Sequence, residues 1–301
     1  MGWMRFYNSV DSIYEGTIFR PPSEANSLIL QITVGCSHNR CTFCGTYREK
    51  QFRIKSFNQI KADVETVYPY YKNIDRIFLA DGNALIIETP KLLKILHFLY
   101  DRFPNLVRVG TYACPSDLLK KTTAELKQLK TAGLGIIYLG LESGSDRILR
   151  AVRKGALAKH MLAGVQKVKA AGLLISVIII LGLGGREHSI EHATQTGKAL
   201  SAMDPDFIGA LTLMVVPGTE IYNDVSSGKL ELLSPREIFQ ELKVLIENID
   251  VTNSIFRANH ASNYIPVGGV LPDDKEKILK KLDSILASEE ISFKPEYLRA
   301  L

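Results

Sequence analysis

Three of the chain's four cysteines lie within nine residues, in the segment GCSHNRCTFCG (35–45). Cys36, Cys41 and Cys44 have the spacing C-x4-C-x2-C, which places three potential thiolate ligands in one short loop. A disulfide site would need an even number of cysteines and an oxidising compartment. A zinc site would need a fourth ligand, for which His38 is the nearest candidate.

An iron–sulfur cluster is the third interpretation of this loop. Clusters are normally held by four thiolates. Three thiolates would bind three irons of a [4Fe–4S] cube and leave the fourth iron open to an external ligand. The absent fourth cysteine then becomes a vacancy for a substrate or a cofactor. The remaining cysteine, Cys114, lies far from the loop in the sequence.

Short apolar runs alternate with helical segments from residue 28 onward. The pattern predicts strands at 27–35, 75–82, 106–113, 135–143, 173–181 and 206–215. It predicts helices at 56–73, 89–103, 122–133, 145–152, 158–171 and 187–202. Such alternation is typical of parallel strands joined by right-handed helical crossovers. Six units fit an open doubly wound sheet or a partial (β/α)6 barrel.

Polar and glycine-rich segments follow the predicted strands. They are the cysteine loop, DGN (81–83), ACPSD (113–117), ESGS (142–145), GLGG (182–185) and VPGTE (216–220). The carboxyl ends of parallel strands form the edge at which α/β folds of both kinds carry their sites. The sequence therefore predicts an active site at this edge.

The cysteine loop resembles that of the radical S-adenosylmethionine superfamily, whose usual spacing is C-x3-C-x2-C with an aromatic residue before the last cysteine. Phe43 has that place here, and the first gap is one residue longer. The segment LGLESGSDRILRAVRKG (139–155) is similar to the tRNA-modifying and porphyrinogen-oxidising branches of the superfamily. The resemblance covers about 28–220. It implies an N-terminal extension (1–26), a partial (β/α)6 barrel (27–220) and a C-terminal helical and loop cap (221–301).

The resemblance also implies the cofactors and the residues that contact them. A [4Fe–4S] cluster would be held by the three loop cysteines, and S-adenosylmethionine would bind its open iron. The cofactor contacts would be Phe43, Asp81, Gly82, Asn83, Glu142, Ser143, Arg153, Lys154, Ile180 and Gly182.

Within this set, the 81–83 turn would offer backbone carbonyls to the methionyl amino group. Glu142 would contact the ribose or the amino-acid end, and Arg153 or Lys154 would pair with the carboxylate. Ile180 and Gly182 would pack on the adenine. Other interpretations stay open: Glu142 could cap the following helix, the two basic residues could be helix C-terminal charges, and Ile180 could be core.

The chemistry implied by the resemblance is reductive cleavage of S-adenosylmethionine. A 5′-deoxyadenosyl radical then takes a hydrogen atom from an organic small molecule. An electron donor such as flavodoxin or ferredoxin is implied as a partner. A tRNA base is the alternative substrate, and a non-catalytic iron–sulfur or zinc protein is the further alternative.

The cysteine count narrows the subtype of enzyme. Only Cys114 lies outside the loop, whereas an auxiliary cluster would need about three more thiolates. A single-cluster enzyme is therefore expected, rather than a methylthiolating one. We also expect no fused cobalamin domain before the barrel. Cys114 itself, at the end of the third predicted strand, is a candidate hydrogen-atom donor or a small buried apolar residue.

A polar stretch near the C-terminus is a further candidate. The segment FRANHASNYIPVGG (256–269) is predicted as a loop between helices at about 235–247 and 273–288. Its polar residues could fold over the active edge and contact the substrate, or they could belong to a surface loop. They are Arg257, Asn259, His260, Asn263 and Tyr264.

Composition and charge limit the class of protein. The 301 residues are 46% hydrophobic and 23% charged, which is ordinary for a globular chain. No apolar run is long enough to span a membrane, and the N-terminus lacks the pattern of a secretion signal. A cytoplasmic location is therefore expected. The net charge of +5 leaves a nucleic-acid partner open without favouring it.

Overall fold

The structure is a computed structural model that describes residues 12–300. The strands of this part of the chain are β1 (Leu28–Gln31), β2 (Thr33–Val34), β3 (Arg53–Ile54), β4 (Arg76–Ala80), β5 (Arg108–Ala113), β6 (Leu134–Glu142), β7 (Leu174–Leu181), β8 (Phe207–Thr212), β9 (Ser254–Ala258) and β10 (Val267–Leu271). The helices are α1 (Phe57–Tyr71), α2 (Thr89–Arg102), α3 (Pro115–Lys120), α4 (Thr123–Thr131), α5 (Asp146–Ala151), α6 (Ala158–Ala170), α7 (Ser189–Met203), α8 (Glu220–Ser226), α9 (Pro235–Glu247) and α10 (Lys275–Ala287).

Eight strands form one sheet, in the order β1-β4-β5-β6-β7-β8-β9-β10. The pairs β1–β4, β4–β5, β7–β8 and β8–β9 are parallel, and β9–β10 is antiparallel. The six strands β1 and β4 to β8 correspond to the six predicted strand–helix units. The α/β class with a largely parallel sheet is therefore confirmed.

The chain divides into two compact units. The first contains Thr46–Tyr138, Lys167–Leu174 and the described residues up to Asn39. The second contains Arg40–Gly45, Leu139–Gln166 and the described residues from Ile175 onward.

In the first unit, α1 packs against β1 and buries one stripe of its surface. Ile60, Val64 and Val67 are fully buried, and their spacing of four and three residues puts them on one helix face. The helix begins at a capping box, in which Ser56 Oγ accepts from the Gln59 amide at 3.3 Å and Gln59 Oε1 accepts from the Ser56 amide at 2.8 Å. These two hydrogen bonds fix the start of the helix predicted at 56–73.

In the second unit, α9 lies between α7 and α10 and packs against both. Ile238, Leu242 and Leu245 are buried on its apolar face. The same helix carries a fully buried carboxylate, Glu241, which points into the unit rather than to solvent. Its Oε1 accepts from the amide of Gly182, which the sequence predicts as a cofactor contact.

The C-terminal part of the chain differs from its prediction. The range 256–269 was predicted as a loop between helices, but β9 and β10 occupy its two ends and extend the sheet, and only 259–266 between them lie outside the strands. The prediction was wrong there because the pair Gly268-Gly269 and the short apolar runs resemble a loop. Pairing with β8 supplies the order that local sequence does not show.

Candidate active site

The segment that carries the three cysteines is closed at its base by a short antiparallel pair. β2 pairs with β3, with Thr33 opposite Ile54 and Val34 opposite Arg53. β2 ends immediately before Gly35, so the pairing brings the start and the end of the 35–52 segment together. A long loop closed in this way loses less freedom when it binds a ligand.

Two side chains from the turn after β4 hold the backbone on either side of Cys36. Asp81 Oδ2 accepts a hydrogen bond from the Gly35 amide at 3.1 Å. Asn83 Oδ1 accepts one from the Ser37 amide at 3.0 Å. The first loop cysteine therefore has its neighbouring peptides fixed by the turn that the sequence singled out.

Gly82, the middle residue of that turn, lies directly against Cys36. Its amide donates to the Gly35 carbonyl at 3.2 Å. A Cβ atom at this position would lie 2.7 Å from Cys36 Cβ and 2.9 Å from Cys36 Cα, closer than such atoms approach one another. Only glycine fits here without moving the cysteine.

Asp81 is a fully buried carboxylate with one satisfied oxygen. Besides the Gly35 amide, Oδ2 accepts from Lys50 Nζ at 2.8 Å and from Gln31 Nε2 at 3.1 Å. Oδ1 is buried and has no hydrogen-bond partner among the described residues. A buried acceptor without a partner carries a desolvation cost.

The fourth cysteine is brought close to the first. Cys114 Sγ lies 3.9 Å from Cys36 Sγ, the distance of a weak S–H···S contact. Asp117 accepts from the Cys114 amide at 2.8 Å and from Asn83 Nδ2 at 2.9 Å. Burial raises the pKa of the Asp117 carboxyl, and these hydrogen bonds oppose the rise.

The cysteines Cys41 and Cys44 belong to the segment 40–45 of the second unit. The Cys44 amide donates to the Cys41 carbonyl at 3.2 Å, which makes the x2 gap a tight turn. The Thr42 amide donates to the Val152 carbonyl at 3.0 Å, and the Thr42 carbonyl accepts from the Ile221 amide at 3.1 Å. The backbone between the two cysteines is therefore held by the end of α5 and the start of α8.

Phe43 and Ile180, predicted as cofactor contacts, are both partly buried against one apolar cluster of the second unit. Part of each side chain is exposed. The cluster consists of Ile148, Val152, Leu183, Leu213 and Ile221.

Glu142 ends β6 and is buried in an ion pair with Lys154. The Lys154 Nζ to Glu142 Oε1 distance is 2.7 Å, and both side chains are about a tenth exposed (11% and 10%). The residue has φ of 64°, in the region that non-glycine residues rarely adopt. The helix that follows is capped by Ser145, whose Oγ accepts from the Ile148 amide at 3.4 Å. The alternative in which Glu142 caps this helix is therefore wrong.

Arg153 has a different environment from its neighbour Lys154. Its guanidinium pairs with Glu220 at 2.7 Å, and both side chains are exposed, at 61% and 42%. Ion pairs of this kind contribute little to stability because water screens them. Of the two basic candidates, Lys154 is the one held in a buried position beside Glu142.

Sequence reasoning missed two buried titratable side chains in the second unit, His192 and Glu241. His192 Nδ1 lies 2.8 Å from Ser143 Oγ, and its Nε2 lies 3.0 Å from the Ile180 carbonyl. Glu241 Oε1 accepts from the Gly182 amide at 2.6 Å. Ser143 lies 49 residues from His192, Gly182 lies 59 residues from Glu241, and Ile180 belongs to a different element from His192, so no local motif could have revealed these contacts.

Two of the C-terminal candidates are buried in the fold. Asn263 accepts from Thr212 Oγ1 at 2.7 Å and donates to the Ala210 carbonyl at 2.8 Å, so it fixes the end of β8. The Tyr264 hydroxyl donates to Glu296 and accepts from Arg299 at 2.8 Å.

The other three are more accessible. Arg257 and Asn259 are exposed, and His260 is partly buried. His260 Nδ1 accepts from the Ser262 amide at 3.1 Å. Burial lowers the pKa of His260, and the charge of Lys294 lowers it further.

None of the four cysteines forms a disulfide, and all are partly exposed. Within residues 12–300, no group of three or more His, Cys, Asp and Glu side chains is already arranged around a metal position. The assignment of cluster ligands therefore depends on the sequence spacing and on the family.

Comparison with known families decides the class. The model of the radical SAM superfamily matches residues 30–196, more than half of the chain. The protein belongs to the radical SAM superfamily. Enzymes of this superfamily use a [4Fe–4S] cluster and S-adenosylmethionine. No helix among the described residues is long and apolar enough to cross a bilayer.

Curated relatives are distant and longer than this chain. The heme chaperone HemW of Bacillus subtilis (strain 168) is 24% identical over 179 residues, which are 58% of this chain and 45% of HemW. A tRNA-2-methylthio-N(6)-dimethylallyladenosine synthase of Dehalococcoides mccartyi (strain ATCC BAA-2100 / JCM 16839 / KCTC 5957 / BAV1) is 27% identical over 226 residues, 71% of this chain and 51% of the synthase. The chain thus spans about half the length of these relatives.

Solved structures show the same fold. Methylornithine synthase is 17% identical with a TM-score of 0.53, covering 82% of this chain and 69% of that one. Coproporphyrinogen III oxidase (HemN) from Escherichia coli is 17% identical with a TM-score of 0.54, covering 82% and 56%. At this identity the likeness supports the fold alone.

Proposed function

We propose that this chain cleaves S-adenosylmethionine reductively and uses the resulting 5′-deoxyadenosyl radical to take a hydrogen atom from an organic small molecule. Family membership and the C-x4-C-x2-C loop carry the proposal. Cys36, Cys41 and Cys44 would hold three irons of the [4Fe–4S] cluster. When bound, the cluster and S-adenosylmethionine supply the radical chemistry, and the protein supplies binding and orientation.

The side chains present fit these cofactors. Three thiols that are not in disulfides match the ligand set of a cube with one open iron. Asp81 offers a buried carboxylate oxygen without a partner, one residue from the glycine that touches Cys36. The α-ammonium group of S-adenosylmethionine could donate a hydrogen bond to such an oxygen.

The turn Asp81-Gly82-Asn83 would act first as a support for Cys36. Its two polar side chains bind the Gly35 and Ser37 amides, and the absence of a side chain at Gly82 lets the turn lie against Cys36. The backbone carbonyls of the turn are proposed to accept from the methionyl amino group.

Glu142 and Lys154 would bind the polar parts of S-adenosylmethionine as a pair. Each is oriented by the other at 2.7 Å, which limits the rotamers that a flexible lysine samples. Arg153, paired with Glu220 and exposed, is the weaker candidate for the carboxylate. Ser143 is proposed to act at the same turn, and Phe43, Ile180 and Gly182 to form the apolar contact with the adenine.

Cys114 is proposed as a hydrogen-atom donor to a substrate radical. Its position 3.9 Å from Cys36 supports a role close to the cluster. The exposed Arg257 and Asn259, with His260, are the C-terminal residues proposed to contact substrate; Asn263 and Tyr264, which the sequence grouped with them, would support these contacts from their buried positions. A flavodoxin- or ferredoxin-type donor and a cytoplasmic location belong to the same proposal.

The decisive experiment is anaerobic reconstitution with iron and sulfide, followed by incubation with dithionite and S-adenosylmethionine. The wild-type protein should release 5′-deoxyadenosine, and Cys36→Ala should release none above background. Cys114→Ala is the matched control, because a thiol that acts on substrate is not needed for cleavage of the cofactor. A wild-type protein that contains the cluster but yields no 5′-deoxyadenosine would contradict the proposal.

Modification of a tRNA base is the second candidate, and the match to the tRNA synthase favours it. The net charge of +5 is compatible with it, although only one cysteine lies outside the loop. Binding of bulk tRNA at two salt concentrations separates the candidates. Tight binding that weakens steeply with salt supports the tRNA substrate, since phosphate contacts release counterions. A non-catalytic carrier of metal would fail the 5′-deoxyadenosine assay.

A further inference from the structure

A buried histidine on α7 connects two turns that the proposed function assigns to S-adenosylmethionine. His192 is only 1% exposed. Its Nδ1 lies 2.8 Å from Ser143 Oγ, in the turn after β6, and its Nε2 lies 3.0 Å from the Ile180 carbonyl, near the end of β7. One rigid ring therefore spans the two turns.

The direction of these hydrogen bonds is fixed by their partners. The Ile180 carbonyl can only accept, so His192 Nε2 carries the proton and donates. With the ring proton on Nε2, Nδ1 can accept from the Ser143 hydroxyl. Ser143 Oγ in turn accepts from the Ser145 amide at 3.0 Å. The bonds form a one-way chain from the Ser145 amide to the Ile180 carbonyl.

The end of β7 is held from a second side by Glu241. Its Oε1 accepts from the Gly182 amide at 2.6 Å, and its Oε2 accepts from Ser189 Oγ at 2.6 Å. Oε1 also lies 3.7 Å from His192 Nε2, and both side chains are buried. The carbonyl of Ile180 and the amide of Gly182 are thus bound by two neighbouring side chains.

The turn after β6 is seated on the same helix. The Gly144 amide donates to Thr196 Oγ1 at 2.8 Å. A Cβ on Gly144 would lie 2.2 Å from the Gln195 carbonyl oxygen and 2.6 Å from Thr196 Cα, so the turn touches the helix backbone. Helix α7 is therefore a common support for both turns, and His192 is the side chain that reaches each of them.

We propose that His192 is a positioning residue that holds the Glu142–Ser143 turn and the Ile180–Gly182 turn in a fixed relation, so that their contacts with S-adenosylmethionine form together. This proposal depends on the proposed function for the assignment of the two turns to that cofactor. His192 itself touches neither cofactor nor substrate in it. Its effect is on binding, because it pre-organises groups that would otherwise be ordered when the ligand binds.

Three substitutions at position 192 separate the hydrogen bond to Ser143 from the hydrogen bond to the Ile180 carbonyl. His192→Gln retains an amide donor for the Ile180 carbonyl but has no acceptor at the Nδ1 position. His192→Asn retains an acceptor near Ser143 but does not reach Ile180. His192→Ala removes both. The control is Leu200→Ala, which creates a cavity at a fully buried position two turns further along α7 and leaves both polar contacts intact.

The first measurement is hydrogen exchange in the cluster-free protein, which needs neither cofactor. His192→Ala should increase amide exchange at both 143–145 and 180–185. His192→Gln should increase it mainly at 143–145, and His192→Asn mainly at 180–185. Leu200→Ala should not single out these two segments. Unchanged protection of both segments in His192→Ala overturns the proposal.

The second measurement is the KM for S-adenosylmethionine and the kcat of its reductive cleavage in the reconstituted protein. All three His192 variants should raise KM, by about tenfold in His192→Ala, because a buried hydrogen bond is lost on at least one side. The kcat at saturation should stay within about twofold, since the reacting groups are unchanged. A wild-type KM in His192→Ala, or an equal rise in Leu200→Ala, overturns the proposal.

The two readouts keep this inference distinct from the proposed function. If the wild-type protein does not cleave S-adenosylmethionine, the proposed function fails, and hydrogen exchange still reports whether His192 couples the turns. Where His192→Ala does not fold, the Gln and Asn variants supply the same comparison with one contact kept.

Discussion

Asp81 is a buried carboxylate with two unlike oxygens. One is fully used by Lys50, Gln31 and the Gly35 amide, and the other has no partner among the residues that the structure describes. Such an arrangement is stable because Lys50 compensates the charge. The structural role of the residue can therefore be tested by mutation, separately from the binding role proposed for it.

The structural role is tested by Asp81→Asn. The change leaves the Lys50 ammonium, whose side chain is only 9% exposed, without its carboxylate. Removal of one partner from a buried pair costs about 3–5 kcal/mol, so we expect a loss of that order in the free energy of unfolding of the cluster-free protein. Urea denaturation measures it.

The matched control is Glu88→Gln, which breaks the exposed pair between Glu88 and Lys91. Because water screens that pair, the urea midpoint should stay at the wild-type value. If Asp81→Asn were as stable as the control variant, the buried pair would not have the assigned structural role.

The close approach of Gly82 to Cys36 gives a second prediction at this scale. Gly82→Ala places a methyl group 2.7 Å from Cys36 Cβ and must displace the cysteine. We expect less iron per chain after reconstitution than in the wild type. Gly209→Ala is the control, because its Cβ meets nothing nearer than 3.8 Å. Equal iron content in the two variants would contradict a role of Gly82 in placing the cluster ligand.

Elements distant in the sequence bring the second unit's polar groups together. Helix α7 supplies His192 to both turns, and α9 supplies Glu241 to the end of β7. Elements with a local signal were predicted well, such as α1 with its capping box and the apolar runs of β4 to β7. The contacts of His192 and Glu241 were not predicted. They depend on the packing of distant elements: Ser143 lies 49 residues from His192, and Gly182 lies 59 residues from Glu241.

The turn that follows β9 gives a prediction on pH dependence. Burial lowers the pKa of His260 below its usual 6.5, so the unfolded chain binds a proton more readily than the folded one. The stability that depends on neutral His260 is present above about pH 6.5 and is lost as the pH falls through the folded-state pKa. Protonation also removes the Nδ1 acceptor used by the Ser262 amide.

His260→Gln should therefore reduce the loss of stability between about pH 6.5 and pH 5, as followed by the urea midpoint at each pH. His97→Gln, a change at an exposed histidine on α2, serves as the control and should keep the wild-type pH profile. A profile for His260→Gln that is as steep as that of the wild type would show that another group is responsible.

At the scale of the whole chain, the superfamily is established, and the roles of the individual site residues are proposals. The superfamily model covers 30–196, and the largely parallel sheet agrees with the fold of the solved relatives. The motif spacing was sufficient to predict the superfamily, because cluster chemistry constrains the cysteines locally. Substrate contacts were less predictable, since Asn263 and Tyr264 are polar for reasons of internal hydrogen bonding.

The metal content of the anaerobically reconstituted protein tests the central claim most directly. We predict about four irons and four sulfides per chain in the wild type and in His38→Ala, and a large loss in Cys36→Ala, Cys41→Ala and Cys44→Ala. A protein that instead retains one zinc per chain, and loses it in His38→Ala, would show that the loop is a Cys3His zinc site and would contradict the account.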